Sequence, residues 1–417
     1  MKRIAATERV HKEVSRLLRG AELEGDTAEE FASEFVRLAV RRLMQELLEA
    51  ERTDFLGREP WERKPGSRGY RNGYERGKLK TGEGEIPIAL PQVRGTEAPF
   101  HSALLERLGD RTEVLKRLVV EAYARGLSTR DVEEALKTAT GGAVLSRSGV
   151  SEVTEALWAD YQEFQQRSLA EFEVVSLMLD GLWHTLRAWG RKREAVLCAW
   201  GILSDGRKVL LHMVLGNKES EEDWLAMVRN MVERGLQAPL TITADGAKGL
   251  INVIEQVWPK SLRIRCWVHK MRNIRAKLPS EVANEVLAEV YAIRDAGTYE
   301  QGRKQAAGVI DRYESVYPSM TACLRDDLAA SLNHLKLPAR LRVLVRSSNG
   351  LERAFEEERR RSKIIPRFFA EKPCLKLMYA VLDRVSGHWA RIRFTASELD
   401  QLQALRAGLG LAPWKQQ

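Results

Sequence analysis

The chain has 417 residues, of which 44% are hydrophobic, and a formal net charge of +9. This length exceeds the usual size of one hydrophobic core, so we expect at least two globular domains, and the positive charge favours a polyanionic partner. No run approaches the ~20 apolar residues of a membrane span, and the four cysteines are too scattered for a disulfide framework, so a cytoplasmic protein without membrane contact is expected.

The first hundred residues fall into two regions that differ in amino-acid composition. Residues 1–56 are predicted to form an N-terminal helical region, because Phe35, Leu38, Ala39, Leu43 and Leu47 recur at helical spacing. We expect that face to pack or to form a dimer. Residues 57–100 are rich in Gly, Arg, Pro and Tyr and are predicted to form a basic, loop-rich arm with one strand near residues 85–90.

Residues 101–168 return to helical periodicity in three pieces, EVLKRLVVEAYARG, STRDVEEALKTA and SRSGVSEVTEALW. Ser128 and Ser146 are predicted N-caps, because a serine side chain accepts from the free backbone NH groups at a helix start. Short helices joined by glycine-containing turns suit a helix-turn-helix, which presents one helix to a DNA groove. A plain helical bundle fits the same pattern equally well.

Residues 169–275 show the clearest order of elements. Apolar strands are predicted at 172–182, 194–203 and 208–216, with a Ser-Asp-Gly turn at 204–206 between the last two. A helix at 220–234, a strand at 240–245, a helix at 247–257 and a strand at 261–269 follow. Three antiparallel strands followed by helix, strand, helix and strand is the element order of the ribonuclease H fold. We therefore predict an α/β domain with a mixed five-stranded sheet.

The rest of the chain is predicted to be helical. Residues 276–346 contain candidate helices at 281–295, 299–316 and 320–333 and read as an all-helical insertion. A charged helix at 349–362 and another at 373–385 would complete the sheet domain, which then takes residues 169–275 and 347–395. Residues 396–417 are left as a C-terminal tail.

Two aspartates are candidates for chemistry, Asp180 in LMLDG and Asp245 in ITADG, since each follows an apolar strand and precedes glycine. Ligand-binding and active sites of α/β proteins often lie at the carboxyl ends of the strands. A lone Asp-Gly pair, however, most often marks a turn, as expected at Asp205. The matched placement on the first and fourth strands favours a site. Mg²⁺ prefers carboxylate oxygens, and two ions held by two or three carboxylates can serve the attacking and leaving oxygens of phosphoryl transfer.

A third carboxylate is expected from the helix NGLERAFEEERRR. Glu352 and Glu356 share one helical face, whereas Glu357 and Glu358 point largely elsewhere. For Glu356, Glu357 and Glu358 a solvated, salt-bridged surface is the favoured interpretation.

Cys266 and His269 form a Cys-x-x-His pair at the predicted end of the fifth strand. The remaining Cys and His residues are scattered, so a closed tetrahedral zinc site is not expected. One interpretation is a buried Cys beside a partly exposed His. The nearness of the pair to Asp245 in the fold order supports another, in which His269 contacts a reacting phosphate or orients a metal-bound water.

Three basic clusters flank these residues. Residues 63–80 hold seven basic side chains and one acid, residues 260–277 hold seven and no acid, and residues 359–361 are all arginine. One cluster alone is usually a solvated face, but three around such a site indicate contacts to DNA phosphates. The candidate contact residues in the second and third clusters are Lys270, Arg272, Arg359, Arg360 and Arg361.

The segment DGAKGLINVIEQVWPKSLRIRCWVHKMRN, residues 245–273, resembles the signature of the Mutator family of transposases, in the branch of bacterial insertion sequences. YRNGYERGKLKTGEGEIPIALPQVR, NGLERAFEEERRR and the downstream IIPRFF are similar to further family motifs, and the resemblance runs from about residue 30 to residue 395. It implies a ribonuclease H-like core with an all-helical insertion. It also implies an Asp-Asp-Glu triad of Asp180, Asp245 and Glu352, accompanied by Cys266 and His269.

The resemblance further implies DNA transposition with Mg²⁺, or Mn²⁺ in its place. A metal-activated water would cleave at the element end, and the freed 3′ hydroxyl would attack a second strand. The implied partner is double-stranded DNA, as terminal inverted repeats and as target. The basic arm and the helix-turn-helix-like region would recognise the repeats, with Arg68, Arg71, Arg130 and Arg147 as candidate contacts. The pairing of two ends suggests a homodimer, and a cytoplasmic, nucleoid-associated protein is expected. Two alternatives stay open: a ribonuclease H-like nuclease or resolvase that never joins strands, and a non-catalytic helix-turn-helix regulator.

Overall fold

A computed structural model describes residues 6–18, 28–62, 69–186, 192–216, 219–362, 370–387 and 389–414. The chain divides into two compact units, Met1–Ala156 and Leu157–Gln417. Within the described ranges, no helix combines the length and the apolar character that a membrane crossing requires.

The first unit consists of helices and one β-hairpin. Its elements in chain order are α1 (Ala6–Leu18), α2 (Ala28–Leu56), β1 (Tyr70–Thr81), β2 (Gly84–Arg94), α3 (Ala103–Leu108), α4 (Glu113–Ala124), α5 (Thr129–Thr140) and α6 (Arg147–Thr154). Met44 of α2 is buried against Ile86 and Ile88 of β2. This contact anchors the long helix on the hairpin.

The hairpin corrects the prediction of a loop-rich arm with one strand, because β1 and β2 pair antiparallel over most of the segment. The charged, glycine-containing sequence of β1 does not show the alternation of apolar and polar residues that is typical of a strand. The reason is that few of its residues are buried and its outward residues are exposed. Gly77 is required for close packing: a Cβ there would lie 2.7 Å from Cγ of Leu90 on the partner strand.

Helices α4, α5 and α6 share a small core that includes Leu115, Val132 and Val150. The predicted N-caps are confirmed: Oγ of Ser128 accepts from the backbone of Asp131, and Oγ of Ser146 accepts from the backbone of Gly149. This cluster of three short helices is compatible with both sequence interpretations, the helix-turn-helix and the plain bundle.

The second unit is a mixed sheet covered by helices. It begins with α7 (Ala156–Gln166), β3 (Val174–Leu186), β4 (Lys192–Leu203), β5 (Lys208–Gly216), α8 (Glu221–Glu233), β6 (Thr241–Ala244), α9 (Lys248–Val257), β7 (Leu262–Arg265) and α10 (Trp267–Arg275). The strand order is β5-β4-β3-β6-β7, with β3, β4 and β5 antiparallel and β6 parallel to both of its neighbours. The predicted five-stranded mixed sheet is confirmed.

Residues 174–179 of the central strand β3 are all buried. Burial of every residue in such a run is typical of a strand that is covered on both faces. Trp224 and Met227 of α8 and Val253 of α9 belong to the core cluster that includes β3. Helix α16, defined below, also contacts β3.

The remaining elements are α11 (Ser280–Arg294), α12 (Tyr299–Tyr313), α13 (Pro318–Arg325), α14 (Leu328–Leu332), α15 (Ala339–Val345), α16 (Asn349–Ser362), α17 (Glu371–Gly387) and α18 (Ala396–Gly408). The insertion between α10 and α16 is helical, as expected. Trp267 and Met271 of α10 belong to its core together with Val290. The region predicted as a tail contains α18, whose Arg406 Nη1 donates to the carbonyl of Ala238 at 3.0 Å.

The predicted fifth strand is too long, because β7 ends at Arg265 and α10 starts at Trp267. The backbone NH of Trp267 donates to the carbonyl of Arg346 instead of continuing the sheet. Cys266 is therefore the N-cap residue of α10, and His269 lies in the first turn of that helix.

Candidate active site

Asp180 and Asp245 are brought together by the register of two parallel strands. Met178 of β3 pairs with Thr243 of β6, so two residues further on Asp180 stands beside Asp245. Neighbouring strands are about 4.8 Å apart. Asp180 lies within β3 and not at its end, which corrects the sequence expectation, because the antiparallel partner β4 continues past it and pairs Asp180 with Cys198.

The same register extends to Cys266. Ala244 pairs with Arg265, and the backbone NH of Cys266 donates to the carbonyl of Ala244 at 2.8 Å. Asp245 and Cys266 thus follow β6 and β7 at matching positions. Three adjacent strands thereby align Asp180, Asp245 and Cys266 in one row.

The environment of Asp180 disfavours its charge. Burial raises the pKa of this carboxyl to about 6, and the charge of Asp245 adds to the rise. His269 and hydrogen bonds from Gly181 and Ser348 act in the opposite direction. Two acids held this close repel each other when both are ionised, and a bound cation would relieve that repulsion.

His269 and Cys266 form a coupled pair beside these acids. Interaction with the Cys266 thiol, followed by the charges of Asp180 and Asp245, raises the pKa of His269 to about 9 against the effect of burial. His269 in turn is the main influence that lowers the pKa of the buried Cys266. At neutral pH the imidazole is therefore positively charged.

Ser348 connects this row to the helix that carries the third predicted acid. Its backbone NH and its Oγ both lie 3.4 Å from Sγ of Cys266. Helix α16 begins at the next residue, so the backbone of Glu352 lies in the first turn of a helix that starts at the site. The side chain of Glu352 lies outside the part of the chain that the structure describes.

Glu358 corrects the expectation of a wholly solvated acidic run. It lies on the buried face of α16 with Ala354, Phe355 and Ser362, and it is fully buried. Its Oε2 atom lies 3.3 Å from Nε2 of His184 on β3. Glu356 is exposed, and Glu357 pairs with Arg360 and Arg361, so for these two acids the expectation is confirmed.

Glu219 is a further acid at the site that sequence reasoning missed. It lies between β5 and α8, in a GNKES segment that contains no recognisable motif. A Cβ on Gly181 would lie 2.3 Å from Oε1 of Glu219, so this carboxylate rests directly against the residue after Asp180. Burial and the charges of Asp245 and Asp180 raise the pKa of Glu219.

Gly246, which follows Asp245, also leaves room for a neighbouring side chain. A Cβ on Gly246 would lie 1.1 Å from Nη1 of Arg265, so the guanidinium occupies that space. Arg265 is buried, and its Nε and Nη1 atoms have no hydrogen-bond partner in the described structure. Both glycines that follow the aspartates are thus needed to admit a neighbouring side chain.

The carboxylates fit a divalent metal by donor chemistry, since Mg²⁺ takes hard oxygen ligands. Among the described side chains, however, no three Asp, Glu, His or Cys groups are arranged as a complete metal site. Glu352, the third acid of the predicted triad, is not among these described side chains.

A basic cavity of about 370 Å³ lies next to this site, between α10, α11 and α15. Arg272, Arg275, Arg294 and Arg346 line it together with Tyr291. Arg294 and Arg346 pair with the same acid, Asp295. Among the described residues no carboxylate pairs with Arg272 or Arg275, and Arg275 donates only to the amide oxygen of Asn284.

The other predicted DNA-contact residues differ in their burial and in their partners. Lys270 is buried and its ammonium donates to the carbonyl of Asp326, so it does not face solvent. Arg71 donates to Thr53 and to the carbonyl of Arg58. Arg130 and Arg147 are exposed and paired with Glu134 and Glu133, and Arg359 is exposed without an acidic partner in the described chain. Arg68 lies outside the described residues.

Comparison with known proteins gives a consistent result. A family model described as "Transposase, Mutator family" matches residues 12–392. The transposase for insertion sequence element ISRM5 of Rhizobium meliloti is 30% identical over 85% of this chain and 88% of its own length. The transposase for IS406 of Burkholderia multivorans is 30% identical over 84% of this chain and 90% of its own length. The transposase for IS256 in transposon Tn4001 of Staphylococcus aureus is 28% identical over 83% of this chain and 89% of its own length.

Proposed function

The chain belongs to the Mutator family of transposases, and on this premise we propose that it cleaves and joins DNA strands at the ends of its element. Asp180, Asp245 and Glu352 would hold Mg²⁺, or Mn²⁺ in its place. The observation that carries this proposal is the parallel register that sets Asp180 beside Asp245. The raised pKa of Asp180 supports it, because this buried carboxyl lies beside a second acid and a bound divalent cation would offset the charge of both.

The mechanism assigns distinct tasks to the side chains. A bound metal pair supplies positive charge at the attacking and leaving oxygens of the phosphodiester. Asp180 and Asp245 would hold the ions from adjacent strands, and Glu352, in the first turn of α16, would be the third ligand. His269, which is protonated at neutral pH, donates to a phosphate oxygen and so fixes the strand to be cut. Cys266 orients His269 and, through Ser348, the start of α16.

The strand order supports a ribonuclease H-like classification of the sheet. Three antiparallel strands are followed by two parallel ones, with helices between the later strands. We propose this fold for the second unit, with the helices between α10 and α16 as an insertion. The insertion separates Asp245 from Glu352 in sequence, whereas the contact of Ser348 with Cys266 returns the chain to the same edge.

The DNA partner is expected to contact Arg272 and Arg275, which line the basic cavity and pair with no carboxylate in the described part of the chain. The three-helix cluster of α4, α5 and α6 is proposed to bind the terminal inverted repeats. Phe35, Leu43 and Leu47 of α2 are exposed apolar residues, and we propose that they pack against a second copy of the chain, because two element ends must be paired.

Incubation of the purified protein with Mg²⁺, the DNA that flanks its coding sequence and a target plasmid tests the proposal. We expect nicks at the repeat ends and covalent joining of those ends to the plasmid. Cleavage without joined product would favour the nuclease, and DNA binding without cleavage would favour the regulator.

A further inference from the structure

We propose that the amino-terminal end of α9 binds a phosphate of the DNA backbone through its backbone NH groups, Lys248 and the buried guanidinium of Arg265. The inference rests on the proposed function, because it names a further contact of the DNA that the row of Asp180 and Asp245 would cut. The phosphate in question is a neighbour of the one that reacts.

The amino-terminal end of α9 lacks the partners that a helix start usually has. The N-cap residue of this ten-residue helix is Ala247, which has no capping side chain, and the first turn contains no acid. Oδ1 of Asp245 accepts from the backbone NH of Ala247 at 3.0 Å. The next three NH groups, of residues 248–250, have no acceptor within the described ranges. Such NH groups, together with the helix dipole, attract an anion.

Arg265 on β7 brings an uncompensated positive charge to the same place. Its side chain is buried, with the residue only 6% exposed, and its Nε and Nη1 atoms have no hydrogen-bond partner. No acid in the described part of the chain pairs with it. Its guanidinium fills the space that a Cβ on Gly246 would take, directly before the N-cap of α9. A buried cation without a counter-charge is costly, so this arrangement favours a bound anion.

Two lysines add to the positive charge. Lys248 is the first residue of α9 and is exposed, although the helix dipole disfavours a cation at this end. Lys270 of α10 is buried. Burial lowers the pKa of Lys270, and the charge of Arg265 acts in the same direction. An anion at the start of α9 would offset charges that repel each other in the free protein.

The acid that lies against this end of α9 is engaged elsewhere. Cβ of Glu221 lies 3.0 Å from the position that a Cβ on Gly249 would take, so the starts of α8 and α9 touch. The carboxylate of Glu221 accepts from Nδ2 of Asn252 at 2.8 Å, one turn further along α9. It therefore does not cap the NH groups at the helix start.

The register of the sheet places this site relative to the catalytic acids. Arg265 pairs with Ala244, the residue before Asp245. Because side chains alternate along a strand, the guanidinium of Arg265 and the carboxylate of Asp245 lie on opposite faces at the same edge of the sheet. The start of α9 thus holds the DNA backbone beside the row of acids and does not take part in bond cleavage.

Titration of the full-length protein with a duplex from the flank of its coding sequence, at several salt concentrations, tests this inference. Arg265→Met keeps a side chain of similar length and removes the charge, so we expect the slope of log affinity against log salt to fall by roughly one unit. Lys248→Gln should have a similar effect. Arg406→Met is the matched control, since Arg406 is also buried but donates to the carbonyls of Ala238 and Ala412. It should keep the wild-type slope.

Urea unfolding of the same variants distinguishes phosphate binding from a structural role of Arg265. Replacement of a buried charge that has no partner by an apolar side chain is often neutral or stabilising. We therefore expect Arg265→Met to leave the unfolding midpoint unchanged or to raise it, whereas Arg406→Met should lower it. A lowered midpoint of Arg265→Met with an unchanged salt slope would overturn the assignment of Arg265.

The remaining outcomes separate the inference from the proposed function. If Arg265→Met and Lys248→Gln both keep the wild-type slope while Asp245→Asn abolishes cleavage, the start of α9 binds no phosphate and the proposed function stands. A lower slope for Lys248→Gln alone would reduce the contact to a surface lysine and contradict the role of Arg265. If the wild type neither binds nor cleaves the duplex, the proposed function itself fails.

Discussion

The backbone amide of Ser348 donates to Sγ of Cys266 at 3.4 Å. This contact joins the end of β7 to the start of α16 across the whole helical insertion. It explains how an acid more than a hundred residues after Asp245 can belong to the same site. The Cys266 sulfur therefore has a positioning role for α16, in addition to its effect on His269.

Cys266→Ala tests that role. We expect it to reduce Mg²⁺-dependent DNA cleavage by tenfold or more, because both α16 and His269 lose an orienting partner, an effect on the order of 1.4 kcal/mol in the barrier. Cleavage kinetics on end DNA provide the measurement. Cys374→Ala is the matched control, since Cys374 is also a buried free cysteine but lies in α17. Equal cleavage rates for the two variants would exclude the positioning role.

Asp180→Asn should stabilise the metal-free protein at neutral and alkaline pH. The pKa of Asp180 rises from 3.8 to about 6 on folding, so its ionisation costs the folded state on the order of 3 kcal/mol. That cost is absent below pH 4, grows as pH rises from 4 to 6 and is constant above. We therefore expect the gain in free energy of unfolding at pH 8 to disappear near pH 4.

Urea unfolding in a chelating buffer, at both pH values, measures this gain. If Asp180→Asn instead lowers the free energy of unfolding by the same amount at pH 4 and pH 8, ionisation of Asp180 does not destabilise the folded state.

The buried contact between Glu358 and His184 should stabilise α16. Glu358→Ala removes a fully buried side chain and its contact with Nε2 of His184, which should cost about 1–3 kcal/mol. Chemical denaturation measures the loss. Glu356→Ala, at an exposed position of the same helix, should change stability by no more than about 0.5 kcal/mol. Similar values for both variants would contradict the role of the pair.

Arg272→Ala and Arg275→Ala should weaken DNA binding about equally for all sequences. Each lost phosphate contact lowers the slope of log affinity against log salt by roughly one unit. Affinity titrations at several salt concentrations measure this slope. Arg303→Ala is the control, because Arg303 is exposed but paired with Glu300. An unchanged slope for the first two variants would place the DNA path elsewhere.

Sequence patterns predict the five strands of the sheet well, because buried strands appear as apolar runs along the chain. The β1 strand was missed, since its outward residues are charged and Gly77 replaces a packing side chain. The start of α10 was assigned to β7 because Cys266 and Trp267 are apolar in either element. Local patterns do not reveal that the Trp267 amide bonds Arg346.

The site was only partly accessible to sequence reasoning. Asp180 and Asp245 are recognisable in the sequence because each follows an apolar strand, and the register of β3 and β6 explains why they meet. Glu219 carries no local signal, because its position near Asp180 depends on its contact with Gly181, a residue 38 positions earlier. Glu358 was interpreted as solvated because its neighbours are charged, whereas its helical position faces the sheet.

The most direct test of the account is cleavage and joining of end DNA by Asp245→Asn beside the wild type, in Mg²⁺, with DNA binding measured on the same samples. The substitution keeps the size of the side chain and removes the charge that would bind metal. We expect DNA binding to persist while cleaved and joined products both disappear. Wild-type levels of cleavage by Asp245→Asn would contradict the assignment of this row of acids as the catalytic centre.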